Sequence, residues 1–350
     1  MTPAIRTGFA AMLANWWRAW SAKPAVSPRI LATDPTVALA GKVDDAPVAA
    51  HAGEALRRFT AYALDGNDRV PDCDASDDEH RRIMAMGSAA LSRLEVQARY
   101  LPRRPSLLPK LLSAMNSDAN SMRDLAQIIG GDPTLLGNLL RVANSVFYRV
   151  TDKPVDSLER AVTMVGTDGI RSVIATSLIH PVMASGSGLF ARFPENTWEQ
   201  TQYAADAAEA HAVTVERADG FSARLLALLY GLANNTVFRI VRDEALAGQD
   251  EIAKPAVIGL LEEWVAPTAQ RIAASWDLPP EIQAMMAWPA DQSPLGRSVF
   301  FGQLAGAQIV MVRRGRLKEA SARATLLASD SRRVQIDRLW SRLAAATLRH

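Results

Sequence analysis

Five histidines, at 51, 80, 180, 211 and 350, and one cysteine, Cys73, are the side chains best suited to hold a metal or act as nucleophiles. They are scattered, with no H-x-x-x-H and no Cys/His cluster at ligand spacing, so a zinc or di-iron site has little to bind it. His180 and His211 fall in apolar helical context, where an imidazole is more often a satisfied packing residue than a ligand. A lone thiol cannot build a disulfide framework and fits a reducing compartment, which makes the cytoplasm the expected location. Catalytic loops are missing as well: the sequence contains no G-x-S-x-G, no G-x-G-x-x-G and no G-x-x-x-x-G-K-[ST]. The nearest approach to a phosphate loop, Ser185-Gly186-Ser187-Gly188, reads as a turn between helices. What remains is a set of buried-looking amides, Gln200 and Asn234-Asn235, and two carboxylates, Asp206 and Glu209, on the stretch after Gln200.

The elements that position these residues are helical. Residues 77–100 carry Ile83, Met86, Ala90, Leu94 and Ala98 as one stripe, with Asp77 and Asp78 at the start. Together with a helix near 53–65 this forms a segment ahead of the main domain, and nothing in it suggests chemistry. From about 101 the chain becomes dense in helices with no strand alternation. Leu107, Leu108, Leu111, Leu112 and Met115 mark one helix, and Leu125, Ile128 and Ile129 a second that Gly130-Gly131 ends. Asp132-Pro133 then opens a third, a carboxylate cap followed by proline at the first helical position. Short helices on short connections imply an all-α, irregular helical bundle.

Three runs of residues here carry a resemblance. They are Leu101-Pro102 with Pro105, the run Asp132-Pro133-x-Leu135-Leu136-x-x-Leu139-Leu140-Arg141-x-Ala143-Asn144-Ser145-x-Phe147-Tyr148, and the run Ser157-Leu158-x-x-Ala161-Val162-x-x-Val165-Gly166-x-x-Gly169-Ile170-Arg171. This pattern resembles the HDOD family, the HD-related output domain of bacterial signalling. A weaker continuation through Trp198, Gly231-Leu232 and Trp276-Asp277-Leu278-Pro279-Pro280-Glu281-Ile282 extends the likeness over about 101–310.

The resemblance implies a bundle of HD type and directs attention to its metal-ligand positions. HD phosphohydrolases use a His, an adjacent His-Asp pair and a distant Asp to hold cations that activate water. The first position falls on Gln200, the pair on Asn234-Asn235 and the last on Gly306, while a further His often found ahead of the Trp-x-Leu-Pro segment falls near Val265. Neutral amides and a glycine cannot lower the pKa of a bound water as carboxylates and imidazoles around a cation do. Asp206 and Glu209 are the only nearby replacements. No cofactor is expected. Asn144 and Arg171, signature residues, are read first as structural and second as ligand or partner contacts, with Asn234 and Asn235 in the same position.

The ends of the chain differ from its middle. Residues 1–30 hold four basic side chains and no acid, and residues 313–350 hold ten against three acids, in a chain whose formal net charge is +2. The body between them is therefore acidic, and basic terminal helices docked on it are the favoured explanation over nucleic-acid binding. Over 3–20, Ile5, Phe9, Met12, Leu13, Trp16, Trp17 and Trp20 recur at helical spacing; this face suits partner docking or, as a second option, peripheral membrane contact. Residues 21–52, broken by four prolines, read as a linker. In the last 40 residues Ile336, Leu339, Trp340, Leu343 and Thr347 form one helical face with Arg332, Arg333, Arg338 and Arg342 largely elsewhere, so the last helix offers a basic docking surface for a partner or a second copy ahead of nucleic acid.

Two functions follow. The first is a non-enzymatic regulatory module that binds a protein partner, or a small nucleotide in the old metal cavity. The alternative is a degenerate but active phosphohydrolase acting on nucleotides or cyclic dinucleotides.

Overall fold

The computed structural model describes residues 46–70, 78–93, 133–144, 157–179, 190–248, 253–278 and 293–348, with isolated positions at 100, 102, 126, 129, 130 and 155. The expected helix over 3–20, most of the linker, nearly all of the helices over 106–115 and 118–129, and the 185–188 turn lie outside them, as do His180 and Cys73. The described residues form ten α-helices and no strand, as the periodicity requires.

Two helices make the first layer: α1, Ala46–Asp65, and α2, Asp78–Ser92. Helix α1 begins inside the expected linker, and Pro47 falls in its first turn, where a missing N–H costs nothing. The HDOD-like part follows with α3, Pro133–Ala143, α4, Leu158–Ile179, α5, Phe193–His211, α6, Gly220–Gly248, and α7, Lys254–Ser275. Helix α8, Pro294–Arg313, and the short α9, Glu319–Ser329, and α10, Arg333–Thr347, complete the chain.

Signature residues act here as backbone and packing devices. Gly166, at φ 72, breaks α4 into two helical pieces, a conformation a residue with a Cβ adopts only at a cost. Asn144 clamps the end of α3: its amide donates to the carbonyls of Leu140 and Val155, both at 2.8 Å, and accepts from the Val155 N–H at 2.7 Å. Trp276, 1% exposed at the end of α7, donates its indole N–H to the Pro102 carbonyl at 2.9 Å. Asp277 at φ 57 then closes α7, with the N–H groups of Leu278 and Asp277 returning to Ala273 and Ala274.

The tightest helix pair is α5 against α8. Alanines 204, 205, 207 and 208 are buried along α5, and Gly302 and Gly306 of α8 lie against Ala204, with Gly302 also against Ala208. A Cβ at Gly302 would fall 2.4 Å from the Ala204 carbonyl oxygen, so the two backbones approach as only small residues permit. Helix α8 is long and apolar enough to span a bilayer by length and composition, yet 83% of its apolar window is covered by the rest of the fold.

Three apolar clusters radiate from this pair. One joins α3, α4, α5, α6 and α7 around Leu139, Ile170, Leu225, Leu229 and Trp276. A second seats α1 and α2 on α6, α7 and α8, through Phe59, Ile83, Leu91, Phe238, Leu260 and Val310. The segment ahead of the HDOD-like region is thus built into its core. The third docks α9 and α10 on α8: Leu326, Ile336, Leu339 and Trp340 pack with Phe301, Leu304 and Ile309. The apolar face anticipated on the last helix packs on α8 within the chain itself.

Candidate functional site

Helices α1, α5, α6, α7 and α8 line a partly open cavity of about 280 Å³. Leu56 and Phe59 of α1, Phe193 of α5, Tyr230 of α6 and Leu261 and Val265 of α7 make it mostly apolar. Its polar wall consists of Thr197 and Gln200 from α5, Asn234 from α6 and Gln303 from α8. Gln200 and Asn234, two of the positions that the resemblance sets against metal ligands, therefore meet at one cavity, and so does Val265.

Gln200 is 2% exposed and its amide nitrogen donates to the Gln303 carbonyl at 3.1 Å and to Gln303 Oε1 at 2.9 Å. Gln303 in turn points its own amide nitrogen at the Ala227 carbonyl, 3.4 Å away. Gln200 Oε1 has no hydrogen-bond partner. Thr197 donates to the Phe193 carbonyl at 2.5 Å and Thr60 to Leu56 at 3.0 Å, which leaves their oxygen lone pairs toward other partners.

Gly306 does not reach this wall. It sits one turn beyond Gln303, pressed on the backbone of α5, where a Cβ would lie 2.6 Å from the Gln200 carbonyl oxygen and 2.7 Å from the Ala204 nitrogen. The residue that faces Gln200 from α8 is Gln303, which sequence reasoning passed over. Its signal was present: a lone amide in the apolar run from Val299 to Leu304. Asn235 is buried at 2% exposure beside Asn234 but does not line the cavity. Asn144 belongs to the α3 clamp, away from the cavity, and Arg171 lies on α4, its side chain outside the described residues.

Two charged residues stand at the rim. Arg57 of α1 and Glu262 of α7 pair across it at 3.1 Å, each side chain about half exposed (44% and 49%). Burial raises the Glu262 pKa, the Arg57 guanidinium opposes the shift, and Glu54 adds to it. No feature of the sequence marked α1 as part of the site, because its contribution depends on how the segment docks.

The nearby carboxylates are engaged elsewhere. Arg224 of α6 holds Asp206 and Glu209, each at 2.5 Å, and neither acid lines the cavity. Burial alone would lower the Arg224 pKa, but Glu209 and Asp206 outweigh it and raise it. The cavity wall thus offers amides, hydroxyls and one carboxylate already paired with an arginine, a set that does not fit a hard divalent cation.

One cluster of metal-ligand type does occur among the described residues: His211, Glu216 and Asp330, whose ligand atoms lie within 4.8 Å of one another. Arg297 and Arg332 occupy it. Glu216 accepts from both, at 2.7 Å and 2.5 Å, and Arg332 also bonds Asp330 at 2.7 Å. Burial would raise the Glu216 pKa, yet the two guanidinium groups hold it at about 2. His211, fully buried and stacked on Phe301, shares a 3.0 Å hydrogen bond with Ser298 and lies 3.5 Å from Asp330. It is the packing residue its apolar context implied, and it ties the α9–α10 turn to α5. Arg314 on Glu199, at 2.6 Å, adds to the same picture of a basic end docked on acidic partners.

No curated protein sequence matches the chain. Two solved structures share the fold. One, from Shewanella amazonensis SB2B, is described provisionally as a metal-dependent phosphohydrolase; it is 16% identical, with a TM-score of 0.52 over 75% of this chain and 100% of its own. The other is an HDOD domain protein of unknown function from Geobacter sulfurreducens, 16% identical, with a TM-score of 0.54 over 77% of this chain and 97% of its own. The HDOD domain model matches residues 101–291, more than half of the sequence. Signature, helical architecture and family model agree, and the chain belongs to the HDOD domain family.

Proposed function

We propose that this chain is a non-enzymatic regulatory module, in which the cavity that holds cations in HD phosphohydrolases serves binding in place of turnover. The observation that carries this reading is the Gln200–Gln303 pair, two amides hydrogen-bonded to each other at 2.9 Å where ligand side chains would converge. Activation of water by a metal requires anionic or imidazole ligands, and the cavity wall supplies none that is free. Gly306 supports the same reading, since the α5 backbone leaves no room for a carboxylate there.

The output acts through a protein partner in a signalling pathway, in the cytoplasm. Nucleic acid is the less favoured partner, because several basic residues of the C-terminal segment are already paired: Arg313 and Arg314 with Glu199, Arg323 with Asp337, and Arg332 with Glu216 and Asp330. The phosphohydrolase alternative needs a rescue by Asp206 and Glu209, and the Arg224 pairing weighs against it.

Metal analysis of the purified chain, beside a phosphodiesterase assay with added manganese, tests the proposal. Substoichiometric metal and no turnover are expected. Stoichiometric metal, with turnover abolished by Asn234→Ala together with Asn235→Ala, would overturn it.

A further inference from the structure

We infer that the chain covers this cavity itself: its N-terminal stretch, residues 3–20, docks at the mouth and seats a tryptophan indole between α1 and α7. The inference rests on the reading of the cavity as a binding site without a metal, and names the occupant that a partner would have to displace. The shape of the recess, the point where the N-terminal stretch joins the fold and the charges at the rim all favour this occupant.

The recess is apolar and opens to solvent. Of its lining residues Phe59, Phe193, Tyr230 and Leu261 are buried, whereas Leu56, Thr60 and Val265 are partly exposed and Gly53, Arg57 and Glu262 are exposed. The exposed three belong to α1 and α7, so the mouth lies between those helices. An apolar cavity of about 150 Å³ accepts benzene, so about 280 Å³ takes one indole. Aromatic and aliphatic walls suit such a ring, and covering them removes apolar surface from water.

The N-terminal stretch is tethered beside that mouth. It lies outside the described residues, and its sequence supplies Trp16, Trp17 and Trp20 on the apolar face expected over 3–20. Residues 1–45 lead into α1 at Ala46, and Gly53 and Arg57 follow about 10 and 16 Å along the helix axis. The 25 residues between Trp20 and Ala46 span roughly 25–30 Å as a coil and up to about 80 Å when extended. The mouth is within reach, at an effective concentration on the order of 1 mM.

Charge points the same way. Beside the Arg57–Glu262 pair stands Glu54, exposed and close enough to act on Glu262, so the rim carries one carboxylate in excess. Residues 1–30 hold Arg6, Arg18, Lys23 and Arg29 with no acid, and Arg18 and Lys23 flank Trp20. An indole delivered by this stretch therefore brings cations to an acidic rim. The same stretch of a second copy has identical chemistry, and the tether favours the chain's own below millimolar protein.

Thiol labelling of the intact 350-residue chain tests the inference. In a Cys73→Ser background, Gly53→Cys places a reporter on the cavity lining, where an added Cβ meets nothing within 4 Å. Val334→Cys, at an exposed residue of α10, is the reference site. An uncharged maleimide should label Gly53→Cys at least tenfold more slowly in the parent than in the chain that also carries Trp16→Ser, Trp17→Ser and Trp20→Ser. Tenfold protection corresponds to an intrinsic Kd of about 0.1 mM at an effective concentration of about 1 mM. Arg18→Glu with Lys23→Glu should speed the labelling about threefold or more, and Val334→Cys should react alike in every chain. Protection should not change with protein concentration from about 1 to 100 µM. The inference is overturned if the tryptophan or charge variants leave the Gly53→Cys rate unchanged, or if Val334→Cys shifts by the same factor. Protection that grows with concentration also overturns it, since the occupant is then a second copy's stretch. Failure here is separable from failure of the functional reading: phosphodiester turnover with bound metal sinks that reading, whereas an inactive, metal-poor chain whose Gly53→Cys reacts equally in all variants sinks only this one.

Discussion

Gly306 of α8 lies so close to Gln200 of α5 that a Cβ on the glycine would stand 2.6 Å from the Gln200 carbonyl oxygen. The obstacle is backbone, which cannot rotate away as a side chain would. Gly306→Ala is therefore expected to destabilise the fold by about 1–3 kcal/mol through overpacking, despite a helix-propensity gain of up to about 1 kcal/mol. Gly137→Ala is the control, on α3, with nothing within 4 Å of its Cβ, and should be neutral or slightly stabilising. Urea midpoints of the two variants check this. Gly306→Asp should fare worse than Ala and recruit no metal.

Acid should loosen the C-terminal helices in a defined window. Glu216 has its pKa lowered from 4.5 to about 2, because Arg297 and Arg332 overcome the opposing effect of burial. A depressed carboxyl contributes stability that is fully present above about 4.5 and is lost as pH falls toward 2. The contribution is on the order of 2 kcal/mol once screening at the two partly exposed arginines is allowed for. Denaturation midpoints between pH 5 and pH 2 should fall less steeply in Glu216→Gln than in the parent, a comparison of slopes that removes contributions from other acids.

Trp340, 1% exposed, anchors α10 against α8. Trp340→Ala should cost about 3–5 kcal/mol and make the region beyond Arg313 the first to be cleaved in limited proteolysis. Trp340→Phe should cost distinctly less, since the indole N–H is buried with no hydrogen-bond acceptor to lose.

Asn144 makes three hydrogen bonds that join the end of α3 to Val155. Asn144→Ala should destabilise by about 1–3 kcal/mol and speed hydrogen exchange at the Val155 amide.

The helical class was written in the periodicity of residues such as Leu135, Leu139 and Ala143, and the family in the Asp132–Tyr148 and Ser157–Arg171 runs, because local pattern fixes local conformation. The resemblance also set Gln200 and Asn234 against ligand positions of HD phosphohydrolases, and that they are amides is read from the sequence directly. It could not place Gln303 in that wall, because one turn of α8 separates it from Gly306 and only the α5–α8 contact decides which of the two faces Gln200. It could not see that Arg57 and Phe59 close the cavity, that Arg224 engages Asp206 and Glu209, or that the apolar face of α10 is covered by α8. Each of these joins residues far apart in the chain, and side-chain direction across a helix contact is set by packing of the whole bundle. The amide character of Gln200 and Asn234 was thus determined by sequence alone, while their meeting at one cavity, and the size, paired charges and rim of that cavity, were decided by tertiary structure.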